Sequence, residues 1–237
     1  MKILLTRPER DSKKLALKIE KSKHTIEIAP LIRIIKIKSN EDINVNNFSA
    51  IIFTSKNGIR YLGNSSLREK LIFTVGDGTY IEAKKSGYKN INNANGDVFN
   101  LIGMINKSYV EINTNILHIT SLQPNKYFIN AFKNTKINYE ILPVYESRII
   151  DDFKIKIENF LIQNSGVITF FSSRTADSFF NIVNKMKLNK YCSKQIIVGL
   201  STQIIKRLES LKFKEIYIAK KPNEESLLSI INNLYCN

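Results

Sequence analysis

The sequence of 237 residues contains two cysteines, two histidines and no long hydrophobic run. Cys192 and Cys236 lack the spacing of a metal site, and His24 and His118 are too few for a histidine-rich one. The longest apolar runs are far shorter than the roughly 20 residues of a membrane helix, and the start of the chain has no signal-peptide core. We therefore expect a cytoplasmic protein without disulfides, bound metal or a membrane-spanning segment.

Motifs for cofactors and for nucleophilic catalysis are also missing. The chain has neither a G-x-x-x-x-G-K-[ST] nor a G-x-G-x-x-G loop, and no serine lies in a G-x-S-x-G setting. The acidic pairs Asp151-Asp152 and Glu224-Glu225 are expected to lie on solvated faces. If the protein is an enzyme, we expect it to work without a cofactor and without a covalent intermediate.

The formal net charge is +15. It has three possible origins: nucleic-acid binding, an acidic small ligand, or a codon bias toward Lys, Asn and Ile. The lysines are scattered, which argues against a polybasic tail, and no nucleic-acid-binding motif is recognised. Whatever its origin, a basic surface would concentrate a polyanionic ligand.

Short apolar segments alternate with polar turns and helical stretches. This rhythm predicts an α/β protein with parallel sheets and helices on both faces. The first helix is predicted over residues 11–20, with Asp11 or Ser12 as its cap. Strands are predicted at 2–5, 25–29, 50–53, 71–75, 90–91, 116–119, 138–142, 167–171, 195–198 and 215–218.

The chain nearly repeats itself, with an offset that grows from 113 to 125 residues. Matching pairs are Ile3-Leu4 with Ile116-Leu117, Pro30 with Pro143, Phe53-Thr54-Ser55 with Phe171-Ser172-Ser173, Gly76-Asp77-Gly78-Thr79 with Gly199-Leu200-Ser201-Thr202, and Tyr88-Lys89-Asn90-Ile91 with Phe213-Lys214-Glu215-Ile216. The repeat predicts two similar lobes with a cleft between them, where a ligand site is expected first.

The prolines Pro30 and Pro143 each precede an extended segment. If the chain crosses between lobes at both places, one lobe comprises 1–34 plus 149–237 and the other 36–145, with crossings near 34–38 and 145–148. The two connectors would then run antiparallel and form a two-stranded ribbon. The alternative is two sequential lobes divided near residue 112, and the pattern alone leaves both arrangements open.

Four of the repeated segments are turns between a strand and a helix. Ser, Thr and Gly at such places cap helices, and the same geometry presents free N–H groups to a carboxylate or phosphate. Ligands of open α/β sheets bind at the carboxyl ends of the strands, where these turns are expected. The turns therefore have two interpretations, a structural cap and an anion site.

Eight short segments occur in an order and spacing that are typical of one family. They are Leu4-Leu5-Thr6-Arg7-Pro8, Pro30-Leu31-Ile32, Phe53-Thr54-Ser55-Lys56-Asn57, Val75-Gly76-x-x-Thr79, Pro143-Val144-Tyr145, Phe170-Phe171-Ser172-Ser173, Val198-Gly199-x-x-Thr202 and Ala219-Lys220-Lys221-Pro222. On these segments the chain resembles the uroporphyrinogen-III synthase family over nearly its whole length.

The resemblance implies two α/β lobes joined by a two-stranded connector. It also implies a cofactor-free cyclising lyase of heme biosynthesis that acts on hydroxymethylbilane, a linear tetrapyrrole with eight carboxylates. The terminal hydroxyl leaves as water, the chain closes through a spiro intermediate, and the last pyrrole ring is inverted. A monomer is expected, with the preceding enzyme of the pathway as a candidate partner and with neither nucleic acid nor membrane.

Site residues are carried over from the same resemblance. Tyr145 matches a tyrosine regarded as a candidate to assist departure of the hydroxyl, and the alternative is a packing residue beside the connector. Many relatives carry Arg-Gly after the segment that matches Ile116-Leu117, whereas this chain has His118, so an anion contact there would depend on Thr120 or Ser121. The candidate substrate-binding residues are Arg7, Ser55, Asn57, Thr79, Ser172, Ser173, Ser201 and Thr202. The alternative function is a non-catalytic two-lobed binding protein for an anionic metabolite.

Overall fold

The computed structural model describes residues 1–19, 24–38, 44–62, 67–96, 98–108, 115–133 and 137–234, so Cys236 lies outside the described residues. The chain divides into two compact units. Unit 1 comprises Met1–Arg33 and Arg148–Asn237, and unit 2 comprises Ile34–Ser147. In the described part of the chain, none of the helices combines the length and the apolar character that crossing a bilayer requires.

Strands and helices alternate along most of the chain. The strands are β1 (Lys2–Leu5), β2 (Thr25–Ile28), β3 (Ile32–Lys36), β4 (Ala50–Phe53), β5 (Leu71–Thr74), β6 (Asn90–Asn93), β7 (Asn115–Ser121), β8 (Asn138–Ile149), β9 (Gly166–Phe170), β10 (Ile196–Gly199) and β11 (Glu215–Ile218). The helices are α1 (Glu9–Ala16), α2 (Lys56–Leu62), α3 (Asp77–Lys85), α4 (Val98–Ser108), α5 (Lys126–Phe132), α6 (Lys154–Gln163), α7 (Ser173–Lys185), α8 (Asn189–Cys192), α9 (Thr202–Lys206) and α10 (Glu224–Asn233), and a short 3-10 helix covers Val45–Asn47.

The two units share one sheet topology. Unit 1 has the strand order β11-β10-β9-β1-β2, and every pair in it is parallel. Unit 2 has the order β6-β5-β4-β7-β8, again all parallel, with β3 added beside β8. When β1 is matched with β7 and β9 with β4, the five parallel strands follow in the same order, as the internal repeat predicts.

Helices cover both faces of each sheet. Successive side chains of a strand point to opposite faces, so neighbouring residues of one strand pack with different helices. In unit 1, Ile3 packs with helices α1 and α10, whereas Leu4 packs with the layer of helices α6 to α9. In unit 2, Ile51 packs with α2 and α3, and Ile52 packs with α4 and α5. Each such side chain stabilises the fold by about 1.5–3 kcal/mol through burial, which explains why the central strands β1, β4 and β9 are mostly apolar.

Strands β3 and β8 form the connection between the units. The amide of Ile37 donates to the carbonyl of Val144 at 3.2 Å, and the amide of Ile150 donates to that of Leu31 at 3.1 Å. Along the first segment, from Leu31 to Ile37, the hydrogen-bond partners run backwards from Ile150 to Val144, so the two strands are antiparallel. The predicted α/β class, with two parallel sheets and a two-stranded antiparallel connector, is confirmed.

Strand β8 continues through Pro143 as one strand of 12 residues, although the sequence predicts a break there. Its register with β7 shifts at this point, since Thr120 pairs with Pro143 and Ser121 with Tyr145. Proline has no N–H to donate to the ladder, and a shift of one residue accommodates it.

The first helix begins two residues earlier than predicted. Helix α1 starts at Glu9, and the carbonyl of Pro8 accepts the amides of Asp11 and Ser12 at 2.9 Å each. The hydroxyl of Ser12 does not cap the helix; it is buried and donates to the carbonyl of Arg7 at 2.8 Å. Pro8 is therefore the N-cap residue, and the helix begins without a side-chain cap.

Two helical glycines should respond to alanine in opposite directions. A Cβ at Gly58 in α2 would lie 2.8 Å from the backbone oxygen of Ile119 and 3.1 Å from Cδ1 of Phe53, so Gly58→Ala should destabilise the fold by about 1–3 kcal/mol. Among the described residues, no atom lies within 4 Å of a Cβ at Gly103 in α4. Gly103→Ala should therefore stabilise by about 0.5–1 kcal/mol. Urea denaturation of both variants tests the pair, and equal effects would contradict the packing of α2 on β7.

Candidate functional site

Unit 1 has a topological switch point between β1 and β9. From β1 the sheet continues to β2 on one side, whereas from β9 it continues to β10 and β11 on the other. Ligands of open α/β sheets bind at the carboxyl ends of the strands at such a point. Arg7 follows β1 there, and Ser172 follows β9.

The guanidinium of Arg7 contacts two carboxylates and one aromatic ring. Its Nη1 donates to Oε2 of Glu224 at 2.6 Å, its Nη2 lies 4.0 Å from Oδ2 of Asp11, and its guanidinium carbon lies 4.0 Å from the centre of the Phe171 ring. The residue is only 9% exposed. Two carboxylates of the protein therefore already share its charge.

Glu224 joins this group from the first turn of α10. Its other oxygen accepts from Nζ of Lys18 at 2.7 Å, so one carboxylate bridges Arg7 and Lys18. Partial burial opposes ionisation, but the hydrogen bonds from Lys18 and Arg7 outweigh it and hold the pKa of Glu224 below its usual value. The expectation that Glu224 lies on a solvated face is wrong, whereas Glu225 is exposed as predicted.

The two other turns of unit 1 differ from each other. The hydroxyl of Ser172 caps α7 by accepting the amide of Thr175 at 3.2 Å, and it lies 2.8 Å from the Thr175 hydroxyl. Ser173 begins this helix of 13 residues and is half-buried. Ser201 precedes α9, a helix of only five residues, without a side-chain cap, and Thr202 is exposed. The longer helix α7 therefore offers the stronger N-terminal dipole.

Unit 2 has the same kind of switch point between β4 and β7. Strand β4 leads to β5 and β6 on one side, and β7 leads to β8 on the other. Thr54 and Ser55 follow β4, and Ser121 ends β7 at the same edge. The hydroxyl of Ser55 accepts the amide of Asn57 at 3.2 Å, and Oδ1 of Asn57 accepts from Arg60 at 3.4 Å.

Thr79 lies at the neighbouring turn, after β5. Helix α3 begins at Asp77 with Gly76 as its N-cap, and the amide of Thr79 donates to the carbonyl of Gly76 at 3.0 Å. The side chain of Thr79 is buried, with 8% exposure. Its hydroxyl forms no hydrogen bond with any residue that the structure describes, so it remains available to a ligand.

Tyr145 lies on β8, in the core layer that also contains α2. Its side chain is 7% exposed, and its ring stacks on that of Tyr61 with centroids 6.2 Å apart. Its carbonyl accepts the amide of Leu122, which follows β7, at 2.8 Å. The ring is therefore fixed by packing, and its backbone joins the carboxyl end of β7.

Sequence reasoning missed a polar chain in the core of unit 2. His118 on β7 is 1% exposed; its Nε2 lies 3.0 Å from the hydroxyl of Thr54, and its Nδ1 lies 2.5 Å from the hydroxyl of Tyr139 on β8. Burial lowers the pKa of His118 to about 3, so the imidazole is neutral near pH 7. A lone histidine inside an otherwise apolar strand was the signal that could have revealed it.

The structure brings the predicted residues to the carboxyl edges of two sheets. Arg7, Ser172 and Ser201 lie at that edge in unit 1, and Ser55, Thr79 and Ser121 lie at it in unit 2. Over the described ranges, no three His, Cys, Asp or Glu side chains are grouped so that they could hold a metal ion. These edges present hydroxyls, helix N-termini and the guanidinium of Arg7 with its two carboxylate partners.

Comparison with known proteins gives one consistent result. Residues 13–229 match the family described as Uroporphyrinogen-III synthase HemD. The chain is 23% identical to the porphyrin biosynthesis protein HemD of Ruminiclostridium josui, over 96% of this chain and 47% of that protein, so it spans about half of that relative's length. It is 25% identical, over 99% of both chains, to a Methanocaldococcus jannaschii protein provisionally named a uroporphyrinogen-III synthase.

Solved structures support the fold. The uroporphyrinogen-III synthetase of Helicobacter pylori superposes with a TM-score of 0.63 at 13% identity, covering 98% of this chain and 99% of that one. A mutant uroporphyrinogen-III synthase of Thermus thermophilus gives a TM-score of 0.64 at 12% identity, with full coverage of both chains. At such identities the likeness shows a shared fold.

The buried His118 should make stability depend on pH. Because its folded pKa of about 3 lies below the unfolded value of about 6.5, the unfolded chain binds the proton first. The stability of the wild type should therefore fall as pH drops from about 6.5 toward 3, by up to about 1.4 kcal/mol per pH unit from this group. His118→Gln, which keeps two hydrogen-bonding atoms but does not titrate, should lose this component. Urea denaturation between pH 4.5 and 8 measures it, and parallel curves for the two proteins would contradict it.

Proposed function

The chain belongs to the uroporphyrinogen-III synthase family, and we propose that it converts hydroxymethylbilane into uroporphyrinogen III. The reaction is a dehydration and cyclisation with inversion of the terminal pyrrole ring, and we propose that it needs no cofactor. One observation carries the proposal from the structural side. Both sheets place hydroxyl-bearing turns at the carboxyl ends of their strands, next to their switch points, where a ligand with many carboxylates can be bound.

The binding part of the proposal depends mainly on neutral donors. We propose that Ser55, Asn57 and Thr79 hold substrate carboxylates in unit 2. Ser172, Ser173, Ser201 and Thr202 do so in unit 1. A hydrogen bond to a charged group contributes about 1.5–3 kcal/mol, so several of them position a flexible polyanion without a single dominant contact.

Arg7 has a more restricted role in this proposal. Its Nη1 is bonded to Glu224, but a guanidinium has five N–H donors. We propose that Arg7 holds a substrate carboxylate while it stays bonded to Glu224. In this arrangement Glu224 and Phe171 fix the guanidinium in place before the substrate arrives.

The chemical part concerns Tyr145. The departing hydroxyl must take up a proton to leave as water, and closure of the ring at the terminal pyrrole releases one. A phenol with a reference pKa of about 10 stays protonated near pH 7 and can donate a hydrogen bond to the leaving oxygen. We propose that Tyr145 does so, since its ring is held rigidly against Tyr61.

We further propose that the protein acts as a monomer in the cytoplasm and receives its substrate from the preceding enzyme of the pathway. Every residue with a role in this proposal comes from one chain. The two units are proposed to be its functional lobes, with crossings near 34–38 and 145–148. Sedimentation velocity tests the monomer, and a stable dimer at assay concentration would contradict it.

The decisive experiment is an isomer assay. Purified protein is incubated with enzymatically made hydroxymethylbilane, the products are oxidised, and the uroporphyrin isomers are separated. Isomer III should dominate, because closure without ring inversion preserves the original order of side chains and gives isomer I. The same result is expected after dialysis against EDTA, since we propose that no metal is needed. Tight binding of hydroxymethylbilane with an isomer ratio equal to that of the protein-free control would instead support a non-catalytic binding protein.

Tyr145→Phe should lower turnover by up to about 10²-fold, at the low end of general-acid effects, because the leaving hydroxyl is already activated by its electron-rich pyrrole. The KM, the thermal stability and the identity of the isomer should stay close to those of the wild type, since the stacking on Tyr61 is retained. Steady-state kinetics at saturating substrate measure the effect. Full turnover would return Tyr145 to a packing role.

Thr79→Ala and Thr202→Ala should act differently from Tyr145→Phe. Each should weaken substrate binding by about 1–3 kcal/mol if a bound carboxylate loses its partner, with the product still isomer III. Thr79→Ser is the matched control, because it keeps the hydroxyl. Equal KM values for Thr79→Ala and Thr79→Ser would remove Thr79 from the substrate site.

A further inference from the structure

The chain of Tyr139, His118 and Thr54 ends at the switch point of unit 2. His118 is enclosed in the core, with the ring centroid of Phe128 at 4.7 Å, and each of its ring nitrogens faces one hydroxyl. Thr54 is half-buried and directly follows β4. A polar chain through the buried His118 thus connects Tyr139 on β8 with the edge at which a ligand is expected.

The two distances favour one direction of the hydrogen bonds. A neutral imidazole has one donor and one acceptor nitrogen, and hydroxyl donors approach their acceptors more closely than N–H donors do. The shorter contact of 2.5 Å fits an O–H donor from Tyr139 to Nδ1, and the contact of 3.0 Å fits an Nε2–H donor to the Thr54 oxygen.

This direction leaves the Thr54 hydroxyl with a proton to donate. Among the described residues, no acceptor takes that proton. Thr54 also precedes Ser55, whose hydroxyl already accepts an amide. Both hydroxyls of this turn therefore accept an N–H from the protein, Ser55 from the amide of Asn57 and Thr54 from His118, and each keeps its own O–H to donate to a ligand.

We propose that Tyr139 and His118 are positioning residues which fix Thr54 as a hydrogen-bond donor to a carboxylate of the substrate. The inference rests on the proposed function for the identity of the ligand. The direction of the hydrogen-bond chain is independent of it.

The electrostatics of the core keep the chain in this state. Burial keeps the imidazole neutral near pH 7 and raises the pKa of Tyr139, so the phenol keeps its proton. In a charged imidazolium both nitrogens would donate, and Tyr139 could then only accept. Neutrality therefore ensures that His118 accepts on one side and donates on the other.

The first test does not involve the substrate. The chain has two histidines, His24 and His118, so ¹⁵N spectra of the protein and of a His24→Gln variant identify the His118 signals. We expect a protonated Nε2 and an unprotonated Nδ1 from pH 6 to 8. In Tyr139→Phe, which lacks the donor to Nδ1, the signals should shift toward a mixture of tautomers. A protonated Nδ1 in the wild type would overturn the inference.

The second test measures the role of Thr54. Thr54→Val should raise KM for hydroxymethylbilane by about 10- to 100-fold with kcat changed less than about threefold, and Thr54→Ser should restore KM. Tyr139→Phe should raise KM by a smaller factor. Thr169→Val is the matched control, because its buried hydroxyl donates to the carbonyl of Leu4; it should lower stability and leave KM unchanged. Thermal unfolding verifies that each variant is folded.

The outcomes separate the two proposals. If the wild type makes isomer III but Thr54→Val keeps the wild-type KM, the inference is overturned and the proposed function stands. If the wild type makes no isomer III, the proposed function fails and the assignment of Thr54 to its substrate fails with it. The ¹⁵N spectra report the direction of the hydrogen-bond chain in either case.

Discussion

Burial of both faces of each parallel sheet is the constraint on which the rest of the structure depends. A strand covered by helices on both sides has no solvated face, so its side chains must be apolar along its whole length. Polar groups are then favoured at the ends of the strands, where the chain turns into a helix, and a polar group inside a strand, such as His118, needs hydrogen-bond partners of its own. The unpaired amides of the helix N-terminus lie at the same place. The requirement that builds the core therefore also gathers hydroxyls and positive helix ends at one edge of each sheet.

The two units have different polar groups at the equivalent carboxyl edges of their sheets. In unit 1 the switch point is occupied by an ionic group, in which Glu224 bridges Arg7 and Lys18. In unit 2 it is occupied by neutral groups, in which His118 joins Thr54 to Tyr139. Each solution satisfies buried polar atoms, as a packed protein requires. The repeat thus preserves topology, whereas the polar residues within it have diverged.

The sequence predicts what depends on local pattern and misses what depends on distant partners. The alternation of strands and helices and the family resemblance were both confirmed. The acidic pair Glu224-Glu225 predicts a solvated face, but the partner of Glu224 is Arg7, 217 residues away, and no local pattern reveals such a pair. The same holds for His118, whose partners lie on β8 and after β4. The predicted start of α1 is wrong by two residues, since Pro8 is the N-cap residue in place of Asp11 or Ser12.

The distinction between binding residues and catalytic residues follows from the chemistry of the proposed substrate. Its carboxylates take no part in bond making or breaking, so they are the same before, during and after ring closure. Interactions with them bind substrate and transition state equally, which lowers KM without raising kcat. The hydroxyl donors that we propose for this task, such as those of Thr54 and Thr79, suit it because a hydrogen bond from a neutral hydroxyl to a carboxylate is of moderate strength. Acceleration of the reaction must come from a group whose hydrogen bond strengthens as the hydroxyl departs, and Tyr145 is the candidate that the resemblance and the rigid packing of β8 provide.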